Sequence, residues 1–317
     1  MTERQACIEV KGLSKTYKRG RIKALDGVDL TVLSGEVFGL IGPNGAGKTT
    51  LLGCLLGLLR PDAGSVSVCG KPPDFLSVRG ITGYMPERPD FESWMTAMQF
   101  LRYHHMLAHM DEHARERDIQ ETLALVELDA AAWHRRLGTY SRGMLQRLNL
   151  AQALVARPTI LLLDEPTLGL DPPGIALVRR IVVRLREEKC TAIVNSHQLD
   201  EIERVCDRVA FIRGGKIRSI ENLKLGQSGE YALLVRWLPG NESNGVTEVV
   251  SSAAARAGCR VKESGRQWCR FLVSDGQVAA AVIRELIEAG LPLHEAVSER
   301  TRLEQLFEQS DGGLADE

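Results

Sequence analysis

Gly42-Pro43-Asn44-Gly45-Ala46-Gly47-Lys48-Thr49 follows directly on an apolar run at 37–41 and precedes a helix-forming stretch at 49–59. A strand, a glycine-rich loop and a helix in that order are the context a phosphate-binding loop requires. Glycines let backbone N–H groups turn toward phosphate oxygens with no Cβ in the way, and the helix behind points its positive end at the same place. Lys48 supplies a point charge for the β- and γ-phosphates and Thr49 a hydroxyl for Mg²⁺. An isolated Gly-rich turn would not bring this lysine and threonine with it.

The chain has 317 residues, more than one hydrophobic core usually serves, so two domains are expected. A formal charge of −1 gives no global basic field, and a nucleic-acid partner lacks its electrostatic footprint. No apolar run approaches the ~20 residues needed to cross a bilayer. Even 51–59 is short and carries Gly53 and Gly57, so a membrane role has to run through a partner. No apolar signal segment follows Met1-Thr2-Glu3-Arg4-Gln5, and export of the chain is not expected. The seven cysteines form no paired CxxC spacing, which suits reduced thiols in a cytosolic protein.

Strands are expected at 7–10, 28–32, 37–41 and 65–69. Between 89 and 136 the texture turns helical, with Met98, Leu101, His105 and Leu123, Val126, Leu128 at helical spacings. An α-helical insert, about 89–157, thus interrupts an α/β domain spanning 1–222. After Pro158 the alternation resumes: strand 160–163, helix 175–188, strand 191–195, helix 199–206, strand 209–212. A Gly/Ser/Gln-containing stretch at 223–229 reads as a linker. Residues 230–317 then carry strand, helix, strand, strand, helix, strand, the βαββαβ order of a ferredoxin-like α+β domain.

In an open α/β sheet, ligands sit beyond the carboxyl ends of the strands. Three strand ends here carry reactive groups. The first is the loop ending in Lys48. The second is Asp164-Glu165 behind Ile160-Leu161-Leu162-Leu163, where Asp164 would orient a Mg²⁺ shell and Glu165 would polarise an attacking water. The third is His197, after the strand at 191–195, a neutral donor for a γ-phosphate. Phosphoryl transfer needs positioning and charge compensation more than covalent chemistry, so these parts suffice for it. An arginine finger is missing from the set. Tyr140-Ser141-Arg142-Gly143-Met144 opens a helix with Ser141 as N-cap, a second anion site far along the chain from the first.

Over residues 8–216 the chain resembles the nucleotide-binding subunit of an ATP-binding cassette (ABC) transporter. Residues 42–50, ending in Thr49-Thr50, are similar to its Walker A motif, 160–165 to Walker B with the adjacent catalytic glutamate, Leu168-Gly169-Leu170-Asp171 to the D-loop and His197 to the switch histidine. Tyr17 falls where the family stacks adenine. The resemblance implies a P-loop NTPase cassette that binds ATP and Mg²⁺. It also implies that two copies pair head to tail, so that Ser141 and Gly143 of each meet the γ-phosphate held by the other's P-loop. Two departures stand out. The signature reads Tyr-Ser-Arg-Gly-Met instead of Leu-Ser-Gly-Gly-Gln, and the lid position that is often Gln is Glu87 in Gly83-Tyr84-Met85-Pro86-Glu87, a further candidate at Mg²⁺. Both resemble the branch that serves ABC-2 type exporters. A homodimer attached through a separate transmembrane permease at the cytoplasmic face of the membrane is the implied assembly. A soluble ATPase that remodels a macromolecular complex is the alternative.

Two weaker signals remain. His105, His109 and His113 step by four in the segment 103–113, which also holds Met106 and Met110. They are read either as copper or zinc ligands on one helical face or as polar surface. Phe91, Trp94 and Phe100 either line a groove for membrane subunits or fill the insert's core. The ending 302–307 reads as an amphipathic helix.

Overall fold

The computed structural model describes residues 5–18, 20–108, 111–223, 231–238, 246–274 and 276–298. The chain divides into two compact units, Met1–Glu221 and Asn222–Glu317. Most of the stretch read as a linker, and the amphipathic ending at 302–307, lie outside the described residues.

The first unit opens with β1 (Ala6–Tyr17), β2 (Ile22–Leu33), β3 (Val37–Ile41), helix α1 (Lys48–Leu55) and β4 (Ala63–Val68). Strands β2, β1 and β4 form an antiparallel sheet in that order. Alternation along β1 and β2 sends Ile8, Val10, Leu13, Leu25, Val28, Leu30 and Val32 into the main core. Next come a short helix α2 (Leu76–Arg79), β5 (Thr82–Met85), the helical insert α3 (Ala97–Leu107), α4 (Arg115–Leu125) and α5 (Arg142–Leu154), and then β6 (Ile160–Asp164), α6 (Pro172–Glu187), β7 (Thr191–Asn195), α7 (Leu199–Val205), β8 (Arg208–Arg213) and β9 (Lys216–Asn222).

The second sheet has the order β5-β6-β7-β3-β8-β9, with β5 through β8 paired in parallel. Every residue of β3, β6 and β7 is buried. That is why these segments read as continuous apolar runs instead of alternating ones: both faces of the parallel sheet are covered, one of them by α1 and the apolar side of β1 and β2. The order makes β6, β7 and β3 neighbours, so the three strand ends singled out in the sequence open on one edge of the sheet.

Several local expectations are corrected. Helix α1 stops at Leu55, because Gly57 (φ 67°) turns the chain and both Leu58 and Leu59 hydrogen-bond back to the Gly53 carbonyl. Strands β5 and β9 were not anticipated. Helix α3 ends at Leu107 and His113 lies in a separate 3₁₀ turn, so His105 and His113 do not share one continuous helical face. His105 is wholly buried with Nε2 3.4 Å from Asp118 Oδ2, the position of a core histidine, and His109 lies outside the described residues. No group of three or more metal-binding side chains occurs among the described residues. The aromatic trio divides: Phe100 is buried with its ring 5.1 Å from that of Phe91, whereas Trp94 is 60% exposed.

The second unit contains β10 (Tyr231–Trp237), α8 (Val246–Ala257), β11 (Arg260–Ser264), β12 (Trp268–Val273), α9 (Gly276–Glu288) and β13 (Leu293–Ser298). Its antiparallel sheet runs β11-β12-β10-β13, placing the first and third strands at the centre as a split-βαβ arrangement does. The apolar stripes of α8 (Val250, Ala253, Ala254) and α9 (Ala279, Val282, Leu286) pack with Leu233, Val235, Cys269, Phe271 and Val273 in one core.

Candidate functional site

The phosphate loop is shaped by its neighbours. A Cβ on Gly42 would collide with the Ile212 carbonyl of β8, and one on Gly47 with the Ala24 carbonyl of β2. Gly47 also takes φ 109° as the N-cap of α1, a conformation closed to residues with side chains. The loop therefore lies against β8 and β2, while Pro43, Asn44 and Gly45 are exposed and face outward. Ala46 is buried beneath it, its carbonyl accepting the Gly215 N–H at 3.0 Å.

Lys48 begins α1 and is 8% exposed. Its Nζ donates to the carbonyls of Gly42 (2.6 Å) and Pro43 (3.1 Å). Burial lowers its pKa, and the charges of Glu165, Asp164 and Glu87 act in the opposite direction. Three carboxylates from two other strand ends thus lie within electrostatic reach of one ammonium. Thr49 and Thr50 follow in the first turn of α1, Thr49 exposed and Thr50 half-buried.

Asp164 ends β6 at 1% exposure. Its carboxylate accepts a hydrogen bond from Asn195 Nδ2. Burial raises its pKa; the Asn195 bond lowers it, and Glu87 and Glu165 raise it again. Burial, followed by the charges of Asp164 and Glu87, pushes the nearby Tyr84 hydroxyl up to about 12. Asn195 Oδ1 is buried and has no donor.

An orphaned acceptor beside a buried carboxylate is what a hydrated cation would satisfy. Mg²⁺ keeps several waters and takes one or two carboxylates plus substrate phosphates, so a compact donor set of this kind fits it and no multi-carboxylate cage is needed.

Glu165 adopts φ 52°, left-handed for a non-glycine residue. Its N–H donates to the Asn195 carbonyl at 2.9 Å, which ties the turn after β6 to the end of β7. Its Oε2 lies 2.8 Å from His197 Nδ1, so the second and third strand ends meet in a hydrogen-bonded pair. The imidazole is 57% exposed on its side chain and the carboxyl 11%. Glu87 follows β5, the strand next to β6, with Arg88 Nε 3.3 Å from its carboxylate.

Ser141 caps α5, its hydroxyl accepting the Met144 N–H at 3.3 Å, and the residue is exposed. Gly143 lies in the first turn with nothing within 4 Å of a Cβ, so that turn is open. Tyr140 anchors it from behind: its hydroxyl donates to the Ala132 carbonyl at 2.7 Å. Arg142 lies against Gly169 of the loop before α6, where Asp171 caps the helix through the Gly174 N–H at 3.1 Å. Tyr17, at the end of β1, is 37% exposed.

The structure thus brings Lys48, Glu87, Asp164, Glu165 and His197 to one edge of one sheet. It adds three residues the sequence reading missed. Asn195 carried a signal, a polar residue closing an apolar strand. Gln146 and Asn149 of α5 carried none, because their partners are carbonyls of distant segments. A cavity of about 790 Å³ elsewhere in this unit, lined by Asp118, Arg157, Ile181, Arg184 and Cys190 among others, touches none of these residues.

The comparisons point the same way. The ABC transporter family model matches residues 25–168, and a model described as AAA domain, putative AbiEii toxin, Type IV TA system, matches 134–203. An uncharacterized ABC transporter ATP-binding protein of Nostoc sp. (all4389) is 38% identical over 71% of this chain and 72% of its own length. The Nod factor export ATP-binding protein I of Burkholderia lata is 37% identical over 72% and 73%. Among solved structures, the ATP-binding cassette MJ0796, a dimer in a post-hydrolysis state bound to ADP and Pi, superposes with a TM-score of 0.64 at 26% identity, covering 68% of this chain and 98% of that one. With a P-loop, a buried aspartate, a glutamate–histidine pair and a serine-capped helix on such a scaffold, the chain belongs to the ATP-binding subunits of ABC transporters, P-loop ATPases whose characteristic activity is ATP hydrolysis.

Proposed function

We propose that this chain is the ATP-hydrolysing subunit of an ABC-2 type exporter, working as a homodimer that closes around ATP and is held to the membrane by a separate permease. The observation that carries the catalytic half of this reading is the 2.8 Å contact between Glu165 and His197 beside the phosphate loop. The exporter half draws on the Tyr-Ser-Arg-Gly-Met signature, on Glu87 and on the Nod factor export relative. Among the described residues no helix is long and apolar enough to cross a membrane.

In this reading Tyr17 stacks on adenine, and the loop that Gly42 and Pro43 open cradles, through the N–H groups of Asn44, Gly45, Ala46, Gly47, Lys48, Thr49 and Thr50, the phosphates that Lys48 neutralises. Thr49, Asp164 and Glu87 would hold Mg²⁺, which would supply charge compensation to the phosphates when bound. Glu165 orients the attacking water and accepts its proton, and His197 holds the Glu165 carboxyl through Nδ1 and turns its other face to the γ-phosphate. Ser141 and Gly143 bind the γ-phosphate of the partner copy. ATP bridging both copies favours the closed dimer, and hydrolysis removes the bridge. By fold analogy the second unit serves as a regulatory or dimer-stabilising module.

The test is a pair of variants. Glu165→Gln with ATP is expected to elute as a stable dimer without turnover, and Lys48→Ala to lose ATP affinity. Wild-type hydrolysis by Glu165→Gln rejects the catalytic assignment. Copurification from detergent extract of a protein with about six apolar spans supports the exporter reading, and a soluble complex in its place rejects it.

A further inference from the structure

Helix α5 does more than present Ser141. One turn and a half beyond the cap, the side chain of Gln146 is buried, and its Nε2 lies 3.4 Å from the Glu165 carbonyl and 3.3 Å from the Pro166 carbonyl. One turn further, Asn149 is wholly buried and its Nδ2 donates to the Pro86 carbonyl at 2.8 Å. Pro86 precedes Glu87, and Glu165 is the carboxylate paired with His197. The two amides lie at i and i+3, neighbours on one helical face.

Each bond braces a segment that carries a site carboxylate. Glu165 has a left-handed backbone, sparsely populated for a residue with a side chain and retained only where its surroundings over-determine it. Its N–H is tied to the Asn195 carbonyl, and its own carbonyl accepts both the Leu168 N–H at 3.1 Å and the Gln146 amide at 3.4 Å, so Gln146 shares in that constraint from outside the turn. Asn149 fixes the backbone just ahead of Glu87 where β5 has already ended. Its own Oδ1 is buried with no donor. A polar group buried at that cost, with only half its capacity used, is retained for what it holds.

We propose that Gln146 and Asn149 are positioning residues: through them one rigid helix, capped by Ser141 at its exposed end, sets the backbone beneath both Glu165 and Glu87. From Ser141 to Asn149 the helix spans about 12 Å at its ordinary rise. A phosphate bound at the cap and the carboxylates of the same copy are then joined by a single element, and displacement of that element moves both carboxylates together. The proposal rests on the reading of Glu165 and Glu87 given above.

Gln146→Met keeps the length of the side chain and removes the donor; Gln146→Glu keeps its shape and replaces the donor by an acceptor. For each variant that melts cooperatively, kcat is expected to fall about tenfold while the midpoint for a fluorescent ATP analogue stays within twofold. In the Glu165→Gln background, in single turnover, the same substitution is expected to add no further loss, because both act through one group. Asn149→Leu is expected to raise the Mg²⁺ concentration for half-maximal turnover several-fold at an unchanged ATP midpoint. Wild-type kcat in both Gln146 variants, a loss that multiplies fully with that of Glu165→Gln, or an unmoved Mg²⁺ curve in Asn149→Leu overturns the positioning. Wild-type turnover in Glu165→Gln alone overturns the underlying assignment of Glu165, an outcome read with Gln146 intact.

Discussion

Nδ1 of His197 sits 2.8 Å from Oε2 of Glu165, and the two residues follow different strands separated by the whole of helix α6. The pair exists because β6 and β7 are parallel neighbours in register, Asp164 opposite Asn195, so the residues just past each strand emerge side by side. Removing the ring leaves the carboxyl free to swing away from its position. His197→Ala is expected to lower kcat by about 10²–10³, within the span typical of positioned acid–base groups, with ATP affinity within a few-fold of wild type. Steady-state kinetics and equilibrium nucleotide binding on the same preparation check it.

Asp164 makes stability and activity pull in opposite directions. Its folded pKa is raised, so the stability it contributes is present below the ordinary carboxylate range and is lost as pH rises through the raised value. Once ionised, the side chain is a net cost to the nucleotide-free fold. Asp164→Asn should therefore raise the melting temperature by roughly 2–4 °C, the response to about 1 kcal/mol in a domain of this size. It should also remove the loss of stability that Asp164 brings as pH rises through its raised pKa, and abolish hydrolysis. Thermal melts across pH 4–8 read the first two effects.

Ser141 has two roles that one substitution separates. Ser141→Ala removes the cap and costs about 1 kcal/mol, so loss of turnover in that variant is ambiguous. Asp caps a helix as well as Ser does. Ser141→Asp is accordingly expected to melt no lower than wild type, yet to lose ATP-dependent dimerisation, because a carboxylate then faces the partner's triphosphate. Light scattering with and without ATP in the Glu165→Gln background shows the difference.

Thiol reactivity should sort by burial. Burial pushes Cys7 up to about 11 and Cys190 and Cys269 up to about 12, and raises Cys206 well above its ordinary value. Cys69 is exposed, although its Sγ lies 3.4 Å from that of Cys7. Because the thiolate is the nucleophile, maleimide at pH 7.5 should label Cys69 first and these four slowest. Peptide mapping at short times checks the order.

Much of this was legible in the chain. The phosphate loop, Asp164-Glu165 and His197 stand at the ends of apolar runs, and an α/β sheet that buries both faces has to bring such ends to one edge. The βαββαβ order of the second unit showed in the stripes of its two helices. Strand β5 escaped notice because it has only four residues, yet it delivers Glu87. Strand β9 alternates between half-buried and exposed positions, and its charged residues hid the period. The histidine triplet had the right spacing and the wrong helix: α3 ends at Leu107, before the series is complete. Gln146 and Asn149 look like ordinary surface residues in a string of letters, because nothing local marks a side chain that reaches for another segment's carbonyl.

The left-handed backbone at Glu165 has a practical corollary for anyone selecting heat-resistant versions of this protein. Glycine adopts that conformation without penalty, so a screen scored on survival alone should drift toward glycine there. The hardiest clones would then be those that had discarded their chemistry, and only a selection coupled to nucleotide turnover would keep the glutamate.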